Sequence, residues 1–205
     1  MESGTGMKNQ SGLLFLSPLK ADRPTMVSGP GRSGTTAMAR ALAGGGLVRQ
    51  WADDSRNAEV LAMQQAWEKK DASSLRRLME SLPLRSVTKV PNACVWAVDR
   101  RELLNQWDGN WVVTVRDPLC MAAHDGQPAA LRLAWRVAAY IQTIAAAQAI
   151  SQTHGMVLVS YEKLVMEPAA ILNPLAEALG LDAFAMLKEI NASDGRYFGR
   201  FSNGE

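Results

Sequence analysis

The chain has 205 residues, 47% of them hydrophobic and 20% charged, and its 22 Lys+Arg against 20 Asp+Glu leave a net charge of +2. This is the size of one domain, at roughly 100–200 residues per domain, and the composition excludes a disordered chain, a collagen-like repeat and a disulfide scaffold. The near balance of charge gives no electrostatic argument for a nucleic-acid or membrane-surface partner, and two sparse cysteines, Cys94 and Cys120, fit a reducing, cytoplasmic setting.

The opening MESGTGMKNQ is polar, and the apolar LLFL at 13–16 is too short for the core of an export signal. Residues 1–20 therefore read as a flexible N-terminal segment, ahead of a single domain over 21–205. Four apolar runs then read as strands: Thr25–Ser28, 86–90, 111–115 and 156–160. Each is near-continuous and ends at a polar, Gly or Pro break, as buried parallel strands do. Helical patterns lie between and after them. The Ala-rich 35–43 stops at three glycines, 57–69 and 74–82 are amphipathic, 128–151 opens on Pro128, and Pro168–Leu179 and 183–190 close the chain. The longest apolar stretch, 131–150, carries Arg132, Arg136 and Gln142. It is no bilayer span, which needs about 20 residues with few charges. Strands alternating with helices predict an α/β fold, a single domain with a central parallel sheet flanked by helices.

The stretch most informative about chemistry is MVSGPGRSGTTAMARALA, residues 26–43. A strand enters Gly29-Pro30-Gly31-Arg32-Ser33-Gly34 and leaves directly into a helix at Thr35-Thr36. Glycines let the backbone bend so that several N–H groups converge, and a helix N-terminus adds partial positive charge, so the segment predicts an anion cradle. Arg32 adds a guanidinium, and the hydroxyls of Ser33, Thr35 and Thr36 can donate to phosphate-type oxygens. The spacing nearly matches the nucleotide-binding loop G-x-x-x-x-G-K-[ST] starting at Gly29. Thr35 stands where that loop has its lysine. In NTPases this lysine contacts the β- and γ-phosphates, which a metal bridges. A donor with one phosphate-type group at its 5′ end needs neither.

These residues resemble the 5′-phosphosulfate loop of sulfotransferases that use 3′-phosphoadenosine 5′-phosphosulfate (PAPS), whose soluble bacterial branch carries R-S-G-T-[ST] here. The likeness continues in order along the chain. Thr88-Lys89-Val90-Pro91 is similar to that branch's K-x-P segment, and VTVRDP at 113–118 to its R-D-P strand end. LRLAWRVAAY at 131–140 resembles its helix with Trp and Tyr five apart. VSYEKLVMEP at 159–168, followed by LGL at 179–181, resembles its Y-E-x-L ending. The resemblance implies a P-loop-like α/β domain. It implies transfer of a sulfuryl group from PAPS to a hydroxyl or amine acceptor, with PAPS as co-substrate and no metal.

On that resemblance Gly31, Arg32, Ser33, Gly34, Thr35 and Thr36 would hold the 5′-phosphosulfate and Arg116 the 3′-phosphate. Arg116 directly follows an apolar run, and ligands of open parallel sheets sit beyond the carboxyl ends of strands. The alternative for Arg116 is an ion pair with Asp117 or another acid. Eight residues on, where the family has a Ser, stands His124, as a second 3′-phosphate ligand or as a surface residue. Arg196 and Arg200 lie in DGRYFGRF, similar to the family's basic C-terminal loop over the 3′-phosphate. Lys89 and Arg32 would neutralise charge on the leaving side, Glu59 is the first candidate for the base that takes the acceptor proton, and His124 the second. Tyr161 and Glu162 read as structural, and Trp135 and Tyr140 as core packing, with lining of the adenine or acceptor pocket as the alternative. Two other functions remain: a P-loop kinase or NTPase, and a non-catalytic nucleotide-binding relative. The acceptor is open among small molecules, glycans and peptides, and so is an oligomer.

Overall fold

A computed structural model of the chain describes residues 12–51, 60–98, 107–122 and 129–193. Its strands are β1 (Leu13–Ser17), β2 (Thr25–Ser28), β3 (Val48–Arg49), β4 (Ser86–Lys89), β5 (Asn110–Val115) and β6 (Gly155–Ser160). Its helices are α1 (Thr35–Gly44), α2 (Leu61–Glu68), α3 (Ala72–Glu80), α4 (Ala93–Val98), α5 (Pro118–Ala122), α6 (Ala129–Ile150), α7 (Tyr161–Met166), α8 (Pro168–Leu179) and α9 (Ala183–Ser193). They build one sheet in the order β1-β6-β5-β2-β4-β3. Strands β2 to β6 are mutually parallel with helices packed on both faces, which is the predicted α/β architecture.

The apolar runs earn their strands by feeding two cores at once. Successive side chains point to opposite faces, so Met26, Trp111, Val113, Met156 and Leu158 pack with α2, α3, α4 and α6. Their neighbours Val27, Val112, Val157 and Val159 pack with α1, α7, α8 and α9. That is why no polar alternation marks these strands. The helices are held by local devices. Asp71 accepts from the Ser74 amide at 3.0 Å to start α3, and Ser160 accepts from the Lys163 amide at 3.3 Å to start α7. Gly180, in the left-handed region at φ 62°, ends α8.

Two expectations change. The flexible reading of residues 1–20 does not hold for 13–17, which form β1 antiparallel to β6, with Leu13 opposite Val159. The sheet is therefore mixed, not wholly parallel. β1 lies at an edge and buries only Leu13 fully, so its short apolar run LLFL carries no alternation. Several bounds also move, the helix expected over 74–82 being Ala72–Glu80 and that over 57–69 being Leu61–Glu68 within the described residues.

Cys94 sits in the core beside Met26 and Trp111 while Cys120 is exposed. Burial pushes the Cys94 thiol up to about 11, against an ordinary 9.0. The unfolded thiol ionises first, so this contribution to stability is whole below about pH 9 and is lost as the pH rises from there towards 11. Thiolate is the reactive form. Iodoacetamide at pH 8 is expected to modify Cys120 alone in the folded chain and both cysteines in urea, counted by mass spectrometry. Rapid double labelling of the folded chain would contradict this burial.

Candidate functional site

Strand β2 sits at the centre of the sheet, between β4 and β5. The chain leaves β2 for β3 and β4 on one side, then returns to β5 and β6 on the other. The loop after β2 is thus at the point where the strand order reverses, the usual ligand position of open α/β sheets. The segments after β4 and β5 meet it there. The amide of Asn92 donates to the Gly29 carbonyl at 2.9 Å, and the amide of Val90 to the Val27 carbonyl at 3.1 Å.

Two glycines shape the loop. At Gly29 a Cβ would overlap the Thr114 carbonyl and lie 2.6 Å from the Ser33 hydroxyl. At Gly34, with φ 87°, it would overlap the Tyr161 ring. Gly34 is also the N-cap of α1, whose first internal bond runs from the Met38 amide to the Gly34 carbonyl at 3.1 Å. The amides of residues 34–37 precede that bond and so have no partner inside the helix. Gly34, at the N-cap, makes no side-chain bond to them. Four such donors at the positive end of a ten-residue helix favour an anion. Arg32 is exposed and adopts φ 73°, a left-handed conformation that a side chain adopts at a cost of about 1–2 kcal/mol.

The remaining loop residues divide. Ser33 is fully buried, and its hydroxyl bonds to that of Thr114 at 2.9 Å while its amide donates to the Pro30 carbonyl at 3.1 Å. It ties the loop to β5, so the structure places its hydroxyl on the scaffold. Thr35 is 5% exposed. The hydroxyl of Thr36 accepts from the Lys89 ammonium at 3.1 Å. Lys89 itself is 3% exposed at the end of β4. The lysine absent from position 35 thus has a counterpart that reaches the first turn of α1 from the neighbouring strand.

Arg116 arrives from the end of β5. Its Nη1 donates to the Arg32 carbonyl at 3.3 Å, and its guanidinium lies 4.9 Å over the Tyr161 ring. Its Nε is 3.7 Å from Glu162 Oε1. The ion pair weighed against a ligand role is therefore present, made with Glu162 and not with Asp117. Glu162 Oε1 also accepts from the Asp117 amide at 3.0 Å. The pair Tyr161-Glu162 consequently does more than fill the core: its ring fits against Gly34 and its carboxylate aims Arg116. Arg136, on α6, is 8% exposed and donates from Nη1 to the Gly31 carbonyl at 3.1 Å. Sequence reasoning missed it; the only signal was an arginine beside Trp135 in LRLAWRVAAY.

Gly31, Arg32, Gly34, Thr36, Lys89 and Arg116 are thus brought together, with Arg136 and Glu162 added. Glu59, His124, Arg196 and Arg200 lie outside the described residues. His154 is buried away from the loop, its Nε2 donating to the Trp107 carbonyl at 2.7 Å. Among the described residues no group of three His, Cys, Asp or Glu could hold a metal ion, and no helix is long and apolar enough to cross a membrane.

No family model matches the chain, and no curated protein matches it. Among solved structures it is similar to mouse sulfotransferase SULT7A1 complexed with PAP, with 13% identity, 92% of this chain and 68% of that chain covered, and a TM-score of 0.50. It is also similar to the sulfotransferase domain of the Synechococcus PCC 7002 olefin synthase, with 16% identity, 84% and 78% covered, and a TM-score of 0.49. Sulfotransferase STF9 from Mycobacterium avium is a third, with 12% identity, 87% and 69% covered, and a TM-score of 0.49. At these identities the likeness speaks for the fold alone, and the mouse structure carries it: the chain has the sulfotransferase fold.

Proposed function

We propose that this chain is a sulfotransferase that moves a sulfuryl group from PAPS to a hydroxyl or amine acceptor. The observation that carries this reading is the glycine-capped N-terminus of α1, with Lys89 bonded to its first turn and Arg116 to the loop before it. Loop amides and Arg32 would hold the 5′-phosphosulfate, and Arg116 the 3′-phosphate. PAPS supplies the activated sulfuryl group. The protein's part is to align it with the acceptor and to stabilise charge as it develops. Lys89, held against Thr36, would neutralise the leaving oxygen. Burial strengthens such an interaction, because the local dielectric is low. For the base the reading keeps Glu59, with His124 second, and for closure over the 3′-phosphate it keeps Arg196 and Arg200. The mouse neighbour's complex with PAP agrees with this co-substrate.

Thermal melting tests the reading. A ligand at 100 times its dissociation constant stabilises by about 2.7 kcal/mol. For a chain of this size that is a rise of about 5–11 °C. Adenosine 3′,5′-bisphosphate is expected to produce it without magnesium, and ATP to produce little. Equal, magnesium-dependent shifts with ATP would make the chain a kinase or NTPase instead. Tight bisphosphate binding with no transfer of labelled sulfate to a panel of alcohols and amines would make it a non-catalytic relative.

A further inference from the structure

We propose that Arg136 is a further ligand of the donor's 5′ anion, supplied to the loop from α6; this rests on the reading above. The first observation is an inversion of the usual pattern. On α6 the indole of Trp135 is 66% exposed while the next residue, Arg136, is 8% exposed. Arginine is almost never fully buried unless paired, and an exposed tryptophan gives up a large burial energy; here the guanidinium also lies 5.4 Å over that indole. A local violation of this kind is expected where function requires it.

The second observation is where the buried charge goes. Nη1 of Arg136 reaches the Gly31 carbonyl, 105 residues away in sequence, on the wall of the loop that faces α6. A guanidinium is always charged and presents five N–H donors in a planar fork, the shape that suits a phosphate or sulfate group. Tethering it to the loop's own carbonyl fixes its position before any ligand arrives. One turn earlier, Arg132 has a buried Nε with no hydrogen-bond partner, so a row of positive charge runs along this side of the helix. The loop lacks the lysine of NTPases at position 35. Beside its own Arg32, its cations come from the surrounding elements: Lys89 from β4, Arg116 from the end of β5 and Arg136 from α6.

A mere strut to Gly31 would need only a neutral donor, which separates the two roles. Arg136→Gln keeps an N–H for the carbonyl and removes the charge; Arg136→Lys keeps the charge and removes the fork. Each variant is titrated calorimetrically with adenosine 3′,5′-bisphosphate and with pyrophosphate at two salt concentrations, and melted without ligand. The expected result is an unliganded melting temperature within about 2 °C of the parent for Arg136→Gln, and bisphosphate binding weakened about tenfold, with a shallower salt dependence. Arg136→Lys is expected to lose about threefold. Arg136→Gln binding both anions like the parent overturns the proposal. So does equal weakening in both variants that tracks a fall in melting temperature. If the parent binds pyrophosphate but not the bisphosphate, the sulfotransferase reading fails while Arg136 is still judged on pyrophosphate. If it binds neither, both fail.

Discussion

Gly34→Ala is expected to lower the melting temperature by about 5–15 °C and to abolish binding of adenosine 3′,5′-bisphosphate. Two costs add. Any residue but glycine at φ 87° carries about 1–2 kcal/mol of backbone strain. The new methyl would also occupy space held by the Tyr161 ring, and forcing an extra carbon into a packed site costs about 1–3 kcal/mol. The sum converts at about 2–4 °C per kcal/mol for a domain of this length. The ring cannot yield cheaply, because Arg116 packs on it. Relief would come only by moving the N-cap of α1, and with it the amides that face the anion. Differential scanning calorimetry and a bisphosphate titration check the two halves. A variant as stable as the parent would mean that the loop is not seated on Tyr161.

Arg116→Ala is expected to cost about 1.5–3 kcal/mol of bisphosphate affinity, the scale of a hydrogen bond to a charged group. That is about 10- to 150-fold in the dissociation constant. The side chain is 13% exposed and its carboxylate partner 37%, so the pair with Glu162 is only partly sheltered. Solvent-facing pairs contribute little, about 0–1 kcal/mol. The ion pair is therefore worth little to folding, and what the variant gives up in the unliganded chain is the bond to the Arg32 carbonyl and the packing on Tyr161. Titrations of the bisphosphate against adenosine 5′-phosphate localise the effect. The loss belongs to the doubly phosphorylated nucleotide, and an equal loss for both would move Arg116 away from the 3′-phosphate.

The four strand runs and the loop were legible because their causes are local. A strand buried on both faces is mostly apolar, and a chain that turns through Gly29 and Gly34 must carry glycine there. What escaped depends on distant partners. Ser33 reads as an anion ligand from its neighbours, yet its hydroxyl belongs to Thr114, 81 residues on. Glu162 reads as filler, because nothing near it in sequence shows that Arg116 lies across the gap. Arg136 reads as one more helix residue, because periodicity reports which side a residue faces and not which loop waits there. β1 has a single deeply buried position, too little for any pattern.

The sheet's flanks bear on how copies of this chain can meet. At one border β1 runs against its neighbour and shifts register between Phe15 and Ser17. At the other, β3 offers two residues, both turned to water. Among the described residues neither border presents a long straight row of unmet amides and carbonyls, the template on which foreign strands assemble. Edge-to-edge pairing along these two described borders is thus a poor route to a higher-order particle.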